Sequence, residues 1–113
     1  MKVQPQPLPN LINLGEIERL ALPSNLRYGK AIYTRGAVKF IEFTPLKVEA
    51  WVGGLKGTVA DGGSQRRRTQ LIATIDGLQW LCTGNPKKHQ IFCKHCVALA
   101  MAILDNSHSA KKQ

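Results

Sequence analysis

Asp76-Gly77 stands between two short apolar runs, Leu71-Ile72-Ala73-Thr74-Ile75 and Leu78 to Leu81. An Asp-Gly pair so flanked is the strongest short-range hairpin signal a sequence carries, because glycine readily takes the positive φ of a tight turn between twisted strands. It predicts two antiparallel strands over residues 71–82, turning at Asp76-Gly77. A lone hairpin is marginal in water and needs more strands or a helix against its apolar face. The upstream chain supplies strands. Val38, Phe40 and Glu42 share one face of a run with Ile41 and Phe43 near its end, and Pro45 interrupts it. Val48, Ala50 and Val52 then alternate with Glu49 and Trp51 up to Gly53-Gly54. Residues 55–60 offer an extension of this hairpin, and Asp61-Gly62-Gly63-Ser64 is a turn signal.

Past Cys93 the period changes. Val97, Ala98, Ala100, Met101 and Leu104 recur at three- and four-residue steps, the pattern of an amphipathic helix from about Cys93 to Asp105-Asn106. Period-two runs followed by one helical run predict an α+β fold: a small antiparallel sheet over residues 37–82 with the C-terminal helix packed on it. Two helices are expected before the sheet. Asn13 is placed as an N-cap with Glu16 as the return half of a capping box and Ile12 and Ile17 as its apolar staple. That helix must end before Pro23. Ser24 is placed as the cap of a second helix to about Thr34, with Gly36 as its stop. With 113 residues and 43% hydrophobic content, the chain has material for one domain. Residues 1–12, rich in proline, read as an extended arm, 13–106 as the domain with a Cys/His core at 78–105, and 107–113 as a polar tail.

All three cysteines and two of the three histidines lie between Cys82 and Cys96, with His89, Cys93 and His95 among them. Three cysteines are too few, and odd in number, for a disulfide framework, so the chain is expected in a reducing cytoplasm, where such clusters bind metal. No window approaches the 18 or so apolar residues of a membrane span, and Met1 to Pro7 lacks the apolar stretch of a secretory signal. A thiolate at the mouth of a helix is favoured by the free N–H groups there, and a strand end beside a helix start can converge on one ion. Zinc is the expected cofactor.

Trp80-Leu81-Cys82 followed by Phe92-Cys93-Lys94-His95-Cys96-Val97-Ala98-Leu99 resembles the SWIM zinc-finger family, whose pattern is Cys-x-Cys, a variable loop, then Cys-x-His opening a helix. Tyr28-Gly29, Gly36-Ala37-Val38 and Val48 to Gly54 are similar to the region preceding that finger. The resemblance covers about residues 25–105. It implies zinc and contact with nucleic acid or docking to protein, as in transposase-like, helicase-associated and recombination-associated proteins. One feature departs from the pattern. Only Cys82 stands where a Cys-x-Cys pair belongs, and its possible mates are Trp80 or Gly84. The expected metal set is therefore Cys82, Cys93 and His95, with His89 the favoured fourth ligand. Cys96, water, a partner's group or loss of the metal are the alternatives.

Sixteen Lys and Arg against seven Asp and Glu give a net charge of +9, which points to a polyanionic partner or an anionic surface. Arg66, Arg67, Arg68, Lys87, Lys88 and Lys94 flank the Cys/His region and are the expected nucleic-acid contacts. On a strand the three arginines point to both faces, so only some can reach phosphates. No general base is placed beside the cluster and no recognition helix is evident. The expectation is a non-catalytic nucleic-acid-associated module without small-molecule substrate or membrane contact. The alternative is a protein-docking subunit of a larger nucleoprotein complex.

Overall fold

The structure is a computed structural model that describes residues 6–53, 67–82 and 92–111, with the side chains of the last helix described through Asn106. Its elements in chain order are α1 (Leu8–Leu11), α2 (Leu14–Leu20), α3 (Pro23–Thr34), β1 (Val38–Phe43), β2 (Lys47–Val52), β3 (Arg67–Thr74), β4 (Gly77–Cys82) and α4 (Lys94–Lys111). The strands form one antiparallel sheet in the order β1-β2-β3-β4, and α4 packs on it. This is the α+β fold expected from the change of period. Among the described residues, no helix is long and apolar enough to cross a membrane.

Each local prediction meets a specific outcome. Asn13 caps α2, its side chain accepting from the Glu16 N–H at 2.9 Å, while the Glu16 carboxylate holds Arg19 at 2.7 and 3.0 Å. Helix α3 begins one residue before the expected cap Ser24. Pro23 takes the first helical position, where its missing N–H costs nothing, and Leu22 is the N-cap. It ends as expected at Gly36, with φ 75°, where the Gly36 N–H bonds Tyr33 O and the Ala37 N–H bonds Ile32 O in a Schellman pattern. The expected arm is structured from Leu8 on: α1 buries Leu8 completely, and its N–H donates to Pro45 O at 2.7 Å. Helix α4 runs past Asn106 to Lys111.

The β3–β4 turn falls one residue earlier than its dipeptide suggested. Thr74 pairs with Gly77, leaving Ile75 and Asp76 as the turn. No described residue other than glycine has positive φ, so the conformation that Asp-Gly was read to supply within the turn is met by Gly77 alone (φ 114°) at the start of β4. Ile75 is consequently exposed rather than in a strand.

Val48, Ala50 and Val52 of β2 and Thr69, Leu71 and Ala73 of β3 are buried on the helix side of the sheet. Cys96 through Ile103 of α4 are buried without a break. A helix apolar all round must be enclosed, and α4 is: the sheet lies on one side and α3 on another. The two helices run in the same sense, Tyr28 and Gly29 meeting Lys94 and Val97 and Tyr33 meeting Asp105 further along. At Gly29 they approach so closely that a Cβ there would collide with Val97 Cβ and lie 2.8 Å from Lys94 O. On the opposite face of the sheet Arg68 reaches diagonally to grip Glu49 at 2.8 and 2.9 Å, and Gln70 donates to the same carboxylate.

Two outcomes are expected. Gly29→Ala lowers stability by about 1–3 kcal/mol in denaturant titration, since the clash involves a backbone oxygen and the first carbon of Val97, neither of which another rotamer removes. The hydrogen bonds from Arg68 and then Gln70 hold the Glu49 carboxyl down to about 2, against an ordinary value of about 4.3. A depressed folded-state value stabilises above the unfolded value and is lost as the carboxyl protonates. Thermal stability therefore falls from about pH 4.5 toward pH 2, and Glu49→Gln flattens that limb.

Candidate metal centre

The site is built where β4 ends and α4 begins. Cys82 is the last residue of β4, opposite Thr69, so its side chain takes the helix-side face. Thr69, fully buried, points its hydroxyl at the sulfur, with Oγ1 3.9 Å from Cys82 Sγ. Cys93 immediately precedes α4, and its carbonyl accepts the Val97 N–H at 3.0 Å, as an N-cap does. Lying outside the helix frees its side chain from the helical direction, so Cys93 and His95 face each other although two residues apart. Cys93 Sγ lies 3.9 Å from His95 Nδ1.

Two aromatic residues bring these pieces together. Trp80, two residues before Cys82, and Phe92, one before Cys93, meet edge to face with centroids 5.1 Å apart. Phe92 is buried to 1% exposure. Because each ring flanks a cysteine in sequence, this contact presses the strand end against the helix start. Gly29 sets the third side, letting the backbone of α3 approach the turn of α4 that carries His95. Beside it Lys94 Nζ lies 5.6 Å from the Tyr28 ring centroid, with Arg27 at 5.0 Å.

The outcome is a group of one atom each from Cys82, Cys93 and His95, all within 4.8 Å of one another. A tetrahedral ion bound at about 2.3 Å to sulfur and 2.0–2.1 Å to nitrogen requires ligand atoms about 3.5–3.8 Å apart. A slight contraction of the group meets that, and two thiols with an imidazole are donors suited to a borderline-soft cation. The group can hold a metal ion. A hydrogen bond with Cys82 pulls the Cys93 thiol down, but Cys96 and burial push it up, and the net value is raised to about 11. A cation at this point supplies the positive charge that the thiolates need.

Among the expected ligands, the structure thus unites Cys82, Cys93 and His95, while His89 lies outside the described residues, as do Arg66, Lys87 and Lys88. Cys96 Sγ is 3.7 Å from Cys93 Sγ, yet it does not belong to the mutually close group. Arg67 and Arg68 point to opposite faces of β3, as alternation requires, and Arg68 is committed to Glu49. Thr69, Phe92 and Gly29 are the supporting residues that sequence reasoning missed. Gly29 and Phe92 stood within the quoted motifs, but their roles depend on a helix crossing and on a ring contact with Trp80. No protein-family model matches the chain, and no curated protein and no solved structure matches it.

Cobalt(II) titrated into the reduced protein is expected to give a thiolate-to-metal charge-transfer band of two-sulfur intensity. Cys82→Ser and Cys93→Ser each reduce it by about half or abolish it, and Cys96→Ala leaves it unchanged.

Proposed function

We propose that the chain is a SWIM-type zinc module that is non-catalytic and contacts nucleic acid as part of DNA- or RNA-processing machinery. The observation that carries this reading is the convergence of Cys82, Cys93 and His95 at the strand end and helix start. The Cys-Lys-His-Cys-Val-Ala-Leu stretch resembling that family supplies two of the three. Two sulfurs and one nitrogen favour zinc over harder ions. His89 is the proposed fourth ligand, from the segment of sequence between β4 and α4.

The charge of +9 supports phosphate contact. Within the described part of the basic set, Lys94 opens α4 between the two ligands, and Arg67 lies on the face of β3 that Thr69 and Cys82 share. These two are the proposed contacts closest to the metal. Arg68 serves Glu49 and is assigned a structural role.

A second reading, docking to a protein partner, is favoured by a separate observation. Edge strand β1 and its turn expose Phe40, Ile41, Phe43 and Leu46. Gel shifts with the isolated, zinc-loaded protein separate the two. Nucleic-acid contact predicts affinity that falls with salt by about 0.9 in log–log slope per duplex phosphate engaged, or about 0.7 on a single strand. Lys94→Ala and Arg67→Ala each flatten the slope by roughly one contact, and Arg68→Ala lowers stability without changing it. No binding at low salt overturns the nucleic-acid reading and leaves docking.

A further inference from the structure

Cys96 is the thiol of this corner that the metal reading does not use. It is fully buried, its sulfur lies 3.7 Å from that of Cys93, and only Lys94 and His95 separate the two in sequence. Cys93 is partly exposed and sits before the first turn of α4, and Cys96 sits within that turn. An accessible sulfur at a helix mouth with a buried one three residues on is the arrangement of a redox-active Cys-x-x-Cys pair. A disulfide needs its sulfurs at about 2.05 Å. From 3.7 Å, a side-chain rotation at Cys93, which lies outside the helix, covers most of the difference. The Cys-x-x-Cys spacing at the start of α4 brings the two sulfurs into contact and so names the partner.

We propose that Cys93 and Cys96 form a reversible dithiol–disulfide couple, whose oxidation by a low-molecular-weight disulfide takes Cys93 out of the metal set. The Cys93 thiolate attacks one sulfur of the oxidant RSSR, forming a mixed disulfide and releasing the first thiolate. The Cys96 thiolate then attacks Cys93 Sγ, closing the intramolecular disulfide and releasing the second. Two electrons pass from the protein sulfurs to RSSR, and the two thiol protons end on the two RSH products. The metal is left with Cys82 and His95, too few protein ligands to retain it. The couple stands on the sulfur geometry alone, whereas its effect on metal retention rests on the zinc reading above.

The test uses the full reduced chain, zinc-loaded and zinc-free, in glutathione buffers from fully reduced to fully oxidised. Free thiols are counted by alkylation, the disulfide is mapped by mass spectrometry of peptides, and released zinc is read with a chelating dye. The expected result is a fall from three free thiols to one, Cys82, with a Cys93–Cys96 bond. One equivalent of zinc is released with it, and dithiothreitol restores both. Cys96→Ala, which keeps the buried site apolar, is expected to stop at a mixed disulfide on Cys93. An intramolecular disulfide in Cys96→Ala, or three free thiols in the zinc-free wild type in fully oxidised buffer, overturns the couple. A Cys93–Cys96 bond formed while zinc stays bound overturns the link to metal retention. Formation of that bond in a protein that never takes up zinc removes the zinc reading but leaves the couple standing.

Discussion

The contact between α3 and the start of α4 at Gly29 is the constraint on which the rest of the structure depends. Helix α4 carries an unbroken buried run from Cys96 to Ile103, so it needs apolar cover on several sides. The sheet gives one side through Val48, Ala50 and Leu71, and α3 gives another through Ile32. Any side chain larger than hydrogen at position 29 would meet Val97 and the Lys94 carbonyl, and the first turn of α4 would have to move away. That turn holds His95 and Cys96, and Cys93 lies one residue before it. Packing density in the core and ligand geometry at the corner are thus set by the same helix crossing.

The corner is held together by apolar contacts and completed by polar ones. Trp80 against Phe92 draws the end of β4 toward the mouth of α4 without using any sulfur or nitrogen. Thr69 directs its hydroxyl to Cys82, the kind of outer contact that orients a ligand. What these contacts do not supply is charge compensation: against the pull of Cys82, Cys96 and burial raise the Cys93 thiol to about 11. The group is preorganised in position, with its three ligand-type atoms within 4.8 Å of one another. The same closeness of sulfurs that suits an ion also places Cys96 beside Cys93, the contact on which the proposed dithiol–disulfide couple rests.

Much of this fold was legible from residue pattern. The alternation in β2, β3 and β4 was readable because one face of the sheet is buried, and helical spacing after Cys93 marked α4, although α4 is buried all round from Cys96 to Ile103 and β1 is exposed on both faces. Asn13 and Gly36 were readable because caps act locally. The turn at Ile75-Asp76 was misplaced by one residue, since a glycine following a turn and a glycine within it look alike in sequence. Leu8 was hidden in a proline-rich stretch, where its burial depends on a hydrogen bond to Pro45, far along the chain. Cys82, Cys93 and His95 were singled out as candidate ligands by their residue types and spacing, and the fold brings them together. Thr69, Phe92 and Gly29 were not, because a threonine, a phenylalanine and a glycine have ordinary roles until a strand register and a helix crossing place them beside a sulfur. Arg68 shows the converse: it read as part of a basic patch, and its bond to Glu49 is visible only once β2 and β3 are in register.

The central claim is that two sulfurs and one imidazole of this corner hold one zinc ion. X-ray absorption at the zinc edge of the loaded 113-residue chain tests it most directly. The account predicts a shell with two sulfurs at about 2.3 Å and nitrogen or oxygen at about 2.0–2.1 Å. A shell of nitrogen and oxygen alone, or a protein that retains no zinc after gel filtration, would contradict it.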